Sequence, residues 1–214
     1  MLTLYGDLDS GNVYKVRLVL AQLALTYRRI DTTQTRGETR SSEFLAINPI
    51  GKIPALVFDD GHMLSESGAI LFYLAQGTPL FPSDRWDQAN ALRWMFFEQY
   101  SHEPYIAVNR HWSLHYPAAE RARLAERMAE NHARGNQALA VMEGHLSVRD
   151  WLAGGAYSIA DIALYAYTHT VAEGGFDLSI CPAVRRWLGR VAGQPRHIAQ
   201  TEEASAEPVV RWPG

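Results

Sequence analysis

The 214-residue chain has a single cysteine, Cys181, and that scarcity excludes a disulfide framework, a CxxC redox pair and a cysteine-rich zinc site. It also fits a reducing compartment, so a cytoplasmic location is expected. Long apolar runs are missing too. Charges, Gly or Pro interrupt every strongly apolar stretch before the ~18 residues of a membrane span. The first residues, Met1 to Asp7, lack the basic flank and apolar block of a signal peptide. Charge of one sign is not in excess. The net charge is −3, with acids and bases interspersed, which points away from nucleic acid and anionic membranes. No internal repeat is present, and the length allows one large domain or two small ones.

What is present falls into two parts. In the first, Leu2 to Tyr5 reads as a strand, and Val13, Val16, Val19, Leu20 and Leu23 recur at helical spacing with Lys15 and Arg17 on the other face. Tyr27 to Asp31 alternates like a strand, and Ser41-Ser42 offers a cap to a short helix. Ala55 to Phe58 and His62 to Leu64 form a hairpin across Asp60-Gly61, and Gly68 to Gln76 is helical. A helical crossover between the first two strands implies a parallel pair, and the hairpin adds an antiparallel one. The expectation is a mixed four-stranded sheet covered by helices, over residues 1–77.

Residues 78–85, which follow Gly77 and contain Pro79, Pro82 and Ser83, read as a linker, and 86–200 as all-helical. Pro104 should kink or break a helix running from Trp86 to His115, and Pro117 suits the start of the next, which runs to Val148. Glu130 and Arg134 form a favourable i,i+4 pair. Ser158-Ile159-Ala160-Asp161 has capping-box spacing. Pro182 can open a last helix that Gly193 closes, and 201–214 read as a tail.

Three short segments of the first part carry chemistry. In Asn48-Pro49-Ile50-Gly51-Lys52-Ile53-Pro54, a proline placed before a strand suits a cis bond, which would turn the Ile53 backbone toward an extended peptide ligand. An ordinary trans-proline at a strand start is the alternative. Ser65-Glu66-Ser67 opens a helix, whose free N–H groups attract a carboxylate while Glu66 can meet an ammonium. Simple capping also accounts for it. Ser10-Gly11-Asn12 lies between the first strand and the first helix. A hydroxyl there can donate to a thiolate and lower its pKa, or can serve only as a cap.

These segments, in this order and followed by a helical half, resemble the cytosolic glutathione S-transferase superfamily, with the bacterial theta-like group as the best fit. The resemblance rests on Asn48-Pro49-x-Gly51-Lys52-Ile53-Pro54-Ala55-Leu56, on Ser65-Glu66-Ser67-x-Ala69-Ile70-x-x-Tyr73-Leu74 and on the Ser158 to Asp161 box. It implies a thioredoxin-like α/β first domain and an all-α second domain. It makes Pro54 the cis-proline, pairs Ile53 with the cysteinyl part of glutathione, and gives Glu66 and Ser67 the γ-glutamyl end. Ser10 becomes the thiolate stabiliser, with Asn12 as a second candidate. Lys52 and Arg40 are implied partners of glutathione carboxylates. The resemblance further implies glutathione as a co-substrate, a hydrophobic electrophile as partner and a homodimer. The chain departs from members that use a tyrosine near the first turn. Tyr5 falls in a strand and Tyr14 inside the first helix.

The second part also holds residues with candidate chemistry. His111 and His115 have the i,i+4 spacing of a zinc pair but no third ligand, so no metal is expected. In the resembling family the acceptor pocket lies between the domains, which makes Tyr105 and Trp112 candidates for lining it. Core packing is the alternative for both.

Overall fold

The computed structural model describes residues 1–212, so Pro213 and Gly214 of the expected tail lie outside the described residues. The chain divides into two compact units. One comprises Met1–Gln76 together with the chain from Pro195 onward, and the other Gly77–Gln194.

The first unit is built on β1 (Leu2–Tyr5), α1 (Gly11–Gln22), β2 (Tyr27–Asp31), α2 (Ser42–Ile47), β3 (Ala55–Val57), β4 (Met63–Ser65) and α3 (Ser67–Ala75). β1 pairs parallel with β2 and antiparallel with β3, with Leu4 opposite Leu56, and β3 pairs antiparallel with β4. Gly61, at φ 85°, makes the β3–β4 turn, in which the Phe58 N–H donates to the His62 carbonyl. The mixed sheet and its helices are as the sequence implies.

The sheet has five strands, however, not four. The segment read as a tail supplies β5 (Val210–Arg211), which pairs parallel with β2 and gives the order β4-β3-β1-β2-β5. The Trp212 N–H donates to the Asp31 carbonyl, and its ring stands edge-on to Tyr5 and Phe44 at 5.8 and 5.7 Å. Trp212 thereby joins the core formed by Leu4, Val13, Val16, Leu20, Tyr27, Phe44, Leu56 and Ile70. Earlier in the same segment, the buried Arg29 of β2 pairs with Glu203, and Ser205 accepts from the Arg29 N–H. This strap also alters α1. Lys15 and Arg17, on the face opposite the apolar stripe, are 1% and 0% exposed, and Arg17 donates to the Gln200 carbonyl.

The second unit is helical: α4 (Arg85–Phe97), α5 (Glu103–His115), α6 (Ala118–Arg123), α7 (Ala125–Leu146), α8 (Ile159–Thr168) and α9 (Pro182–Ala192). A π turn at Glu98–His102 joins α4 to α5. Pro104, which has no N–H for the Tyr100 carbonyl, sits in the first turn of α5, so the ladder changes register just before the proline. The helix expected from Pro117 to Val148 is interrupted at Leu124. Asp161 completes the capping box with Ser158. Its fully buried carboxylate also accepts from the Leu152 N–H (3.1 Å) and the Trp187 indole (2.9 Å). The Glu143 carboxylate accepts from the Ala183 and Val184 N–H groups, satisfying orphan donors at the start of α9. Glu130 and Arg134 pair at 2.8 Å on an exposed face of α7. Among the described residues no helix is long and apolar enough to cross a membrane.

Candidate functional site

Eight of the residues singled out in the sequence lie in the first unit, around the N-termini of α1 and α3 and the turn before β3. Ser10 is the N-cap of α1, in extended conformation. Its Oγ accepts from the Val13 N–H at 3.3 Å, and its own N–H donates to Asp7 Oδ1 at 2.8 Å. Capping occupies a lone pair of the hydroxyl, not its proton. The two readings of Ser10 are therefore compatible, since the O–H can still donate to an anion at the helix N-terminus.

Asn12 follows in the first turn of α1. Its Oδ1 accepts from Lys15 Nζ at 2.7 Å and from the Ser67 hydroxyl at 3.0 Å. Ser67, buried, is the first residue of α3. One carboxamide oxygen thus ties two helix N-termini together, and both present positive dipole ends.

The turn before β3 is fixed by Asn48. Its Nδ2 donates to the Lys52 carbonyl at 2.7 Å, its Oδ1 accepts from the Ile50 N–H, and its carbonyl accepts from the Gly51 N–H. Asn48 is 1% exposed, so the conspicuous Asn-Pro-x-Gly-Lys run is a self-bonded turn. Ile53-Pro54 is cis. Ile53 lies outside the β3 ladder, and Lys52 carries its ammonium on the surface. Arg40 is exposed and extends over Gly51, where an added Cβ would stand 2.6 Å from Arg40 Nη1. Arg40 also borders a cavity of about 420 Å³ lined by Arg36, Glu38, Ser41 and Trp212.

Glu66 precedes α3 with φ 67° and ψ 112°, and its side chain is exposed. A non-glycine residue there is strained by roughly 1–3 kcal/mol, and such residues concentrate at binding sites.

Two residues of this region were not singled out in the sequence. Asp7 receives the Ser10 N–H, and burial pushes its carboxyl up, opposed by hydrogen bonds from Thr33 and Ser10. An Asp three residues before a helix cap was the available cue. Gln200 has no local cue at all, and it donates to the Leu8 and Asp9 carbonyls.

The tyrosine question has a structural answer. Tyr14 is 1% exposed and gives its hydroxyl proton to the Ile198 carbonyl at 2.7 Å, so it is committed to the strap. Burial raises the Tyr5 pKa, the wrong direction for activating a thiol.

Tyr105 and Trp112 belong to the second unit, on α5. Arg134 stacks over the Tyr105 ring and Arg127 over Trp112, each at 5.4 Å. The His111 and His115 rings are 4.8 Å apart, and no group of three metal-ligating side chains forms among the described residues. Cys181 is buried, and burial raises its thiol pKa.

A two-unit protein with an α/β half and a helical half, and with paired helix N-termini beside a cis-proline, is the architecture of a known family. The glutathione S-transferase N-terminal domain model matches residues 1–76, and the C-terminal domain model matches 94–195. The chain belongs to the glutathione S-transferase family. It is 47% identical to a glutathione S-transferase from Pseudomonas fluorescens of known structure, covering 94% of this chain and 99% of that one, with a TM-score of 0.91. The disulfide-bond oxidoreductase YfcG of Escherichia coli is 34% identical over 91% of this chain and 92% of its own. A structure of Ure2p in complex with glutathione is 28% identical, covers 91% of this chain and 95% of that one, and superposes with a TM-score of 0.82.

Proposed function

We propose that the protein is a glutathione transferase that binds glutathione on its first unit and adds the thiolate to an electrophilic small molecule. The observation that carries the reading is the Ser67–Asn12 bond, which joins the α1 and α3 N-termini beside the cis Ile53-Pro54 segment. A tripeptide with a thiol in the middle and carboxylates at both ends has a counterpart for each group there.

In this reading the Glu66 carboxylate takes the γ-glutamyl ammonium. The first-turn N–H groups of α3, that of Ser67 among them, take its carboxylate, while the Ser67 hydroxyl keeps its bond to Asn12 and holds the two helix N-termini together. The Ile53 main chain pairs with the cysteinyl backbone, and Lys52 and Arg40 take the glycyl carboxylate. Ser10 donates to the thiolate at the α1 N-terminus, lowering the thiol pKa from roughly 8.5, and Asn12 holds the second position. The thiolate sulfur then forms a bond to the electrophilic carbon, and the leaving group departs with its electron pair. The α5 aromatics Tyr105 and Trp112 are proposed as acceptor contacts, and a cytoplasmic homodimer acting in detoxification is proposed with them.

A second reading, glutathione-dependent disulfide reduction, is favoured by the similarity to YfcG. The thiolate would attack a disulfide sulfur, expel the other sulfur as a thiolate and leave a mixed disulfide for a second glutathione. A protein-cysteine relay does not fit, because Ser10 stands at the helix cap and Cys181 is buried.

Ultraviolet titration of the bound thiolate tests the activation. The pKa is expected below that of free glutathione, and an unshifted value would remove the mechanism. Parallel assays with an aryl halide and with a small mixed disulfide decide between the two reactions.

A further inference from the structure

The loop that carries Ser10 is held from the far end of the chain. Gln200, 8% exposed, donates both amide hydrogens, to the Asp9 carbonyl at 2.8 Å and the Leu8 carbonyl at 3.3 Å. Its main-chain carbonyl accepts from the fully buried Arg17 of α1 at 2.7 Å. One turn back on α1, the Tyr14 hydroxyl donates to the Ile198 carbonyl, and because that proton is spent, the His197 ring contact at 3.3 Å runs from the imidazole N–H to the tyrosine oxygen. The strap is therefore stitched to α1 by Tyr14 and Arg17, and Gln200 alone of these reaches across to the loop preceding the helix.

We propose that Gln200 is a positioning residue for the thiol chemistry, fixing the Leu8-Asp9-Ser10 loop against α1 so that the Ser10 hydroxyl meets the sulfur. The inference rests on the reading of Ser10 as the thiolate donor. Its physical basis is that a loop anchored at one end by β1 and at the other by a cap can still rotate about its middle. Two hydrogen bonds to consecutive carbonyls remove that rotation at the residue before the donor, and geometric errors near 1 Å at a reacting centre are costly. The Asp7 N-cap contact fixes the Ser10 N–H from the other side. Around the loop, the charged and titratable groups include Asp7, Asp9, Lys15, Arg17, Asp31, His197, Glu202 and Arg29, whose guanidinium donates to the Gly6 carbonyl at 2.6 Å, and substituting Gln200 changes none of their charges.

The experiment measures the pKa of the enzyme-bound glutathione thiol in Ser10→Ala, Gln200→Met and the double variant, with Gln200→Asn as a second form that shortens the reach while keeping the amide. Gln200→Met keeps the length and removes both donors. Either Gln200 variant is expected to raise the thiol pKa by about half to one unit, a three- to tenfold loss of thiolate below the pKa, with KM for glutathione within about twofold. In the Ser10→Ala background the same change is expected to add nothing, because Gln200 acts through Ser10. An unchanged pKa in both Gln200 variants, with Ser10→Ala still shifted, overturns the Gln200 inference and leaves thiol activation standing. Additive shifts in the double variant overturn it as well. No shift in Ser10→Ala removes the activation reading and this inference together.

Discussion

The Ser67 hydroxyl donates to Asn12 Oδ1 at 3.0 Å, although the two residues lie 55 positions apart and open different helices. The same oxygen receives the ammonium of Lys15, itself 1% exposed. Two helix N-termini and a buried cation therefore surround one neutral carboxamide, an environment that favours negative charge nearby.

Glu66 holds φ 67° without being glycine. Glu66→Gly is expected to stabilise the fold by about 1 kcal/mol through relief of that strain. The same change is expected to weaken glutathione binding about tenfold by removing the carboxylate that meets the ammonium. Thermal denaturation and calorimetric titration read the two effects, and a variant that gains affinity contradicts the assignment.

Gly51 stands at φ 66° beneath Arg40. In Gly51→Ala the new methyl meets the Thr39 carbonyl as well as the Arg40 guanidinium, so the arginine is displaced and the turn strained. A loss of about 1–2 kcal/mol in stability is expected, with weaker glutathione binding. Arg40→Ala, which leaves the turn alone, should reproduce the binding loss and not the stability loss.

Asp161 is fully buried, and desolvation raises its pKa to about 6 against the hydrogen bonds from Trp187, Leu152 and Ser158. The folded state then holds the proton more tightly than the unfolded chain, whose carboxyl titrates near pH 4. This group's stabilisation is complete below about pH 4 and falls by about 3 kcal/mol as pH rises to about 6, then stays flat. Carbon-13 NMR of the Asp161 carboxyl should show a midpoint near 6, and one near 4 would contradict the sign. Asp161→Asn turns an amide donor toward the Ser158 N–H and is expected to destabilise by about 3–5 kcal/mol.

Trp212 sits in the aromatic cluster with Tyr5 and Phe44. Trp212→Ala, or truncation before Val210, is expected to cost about 2–4 kcal/mol, read as a lowered denaturation midpoint at unchanged helical content. A variant of full stability would mean that the sheet does not need its fifth strand.

Most elements were legible because their boundaries are written locally. Asp60-Gly61 marks the hairpin, the Ser158 to Asp161 spacing marks α8, and Pro182 marks α9. The helix break at Leu124 has no such punctuation, and a two-residue strand such as β5 carries no periodicity to detect. The burial of Arg17 was not legible because a helix pattern says nothing of a segment that returns more than 180 residues later. The site divides the same way. Ser10, Asn12, the Ile53-Pro54 pair and Glu66-Ser67 announce themselves through turn and cap chemistry, while Gln200 is recognisable only once the strap is in place.

That strap sets an order of events during synthesis. Arg29 and Ser205, bonded across 176 positions, cannot meet until the whole helical unit between them has left the ribosome. The first residues made are among the last to be completed. Until then β2 is an open sheet edge, and Arg29 lacks the Glu203 carboxylate that pairs with it in the finished fold.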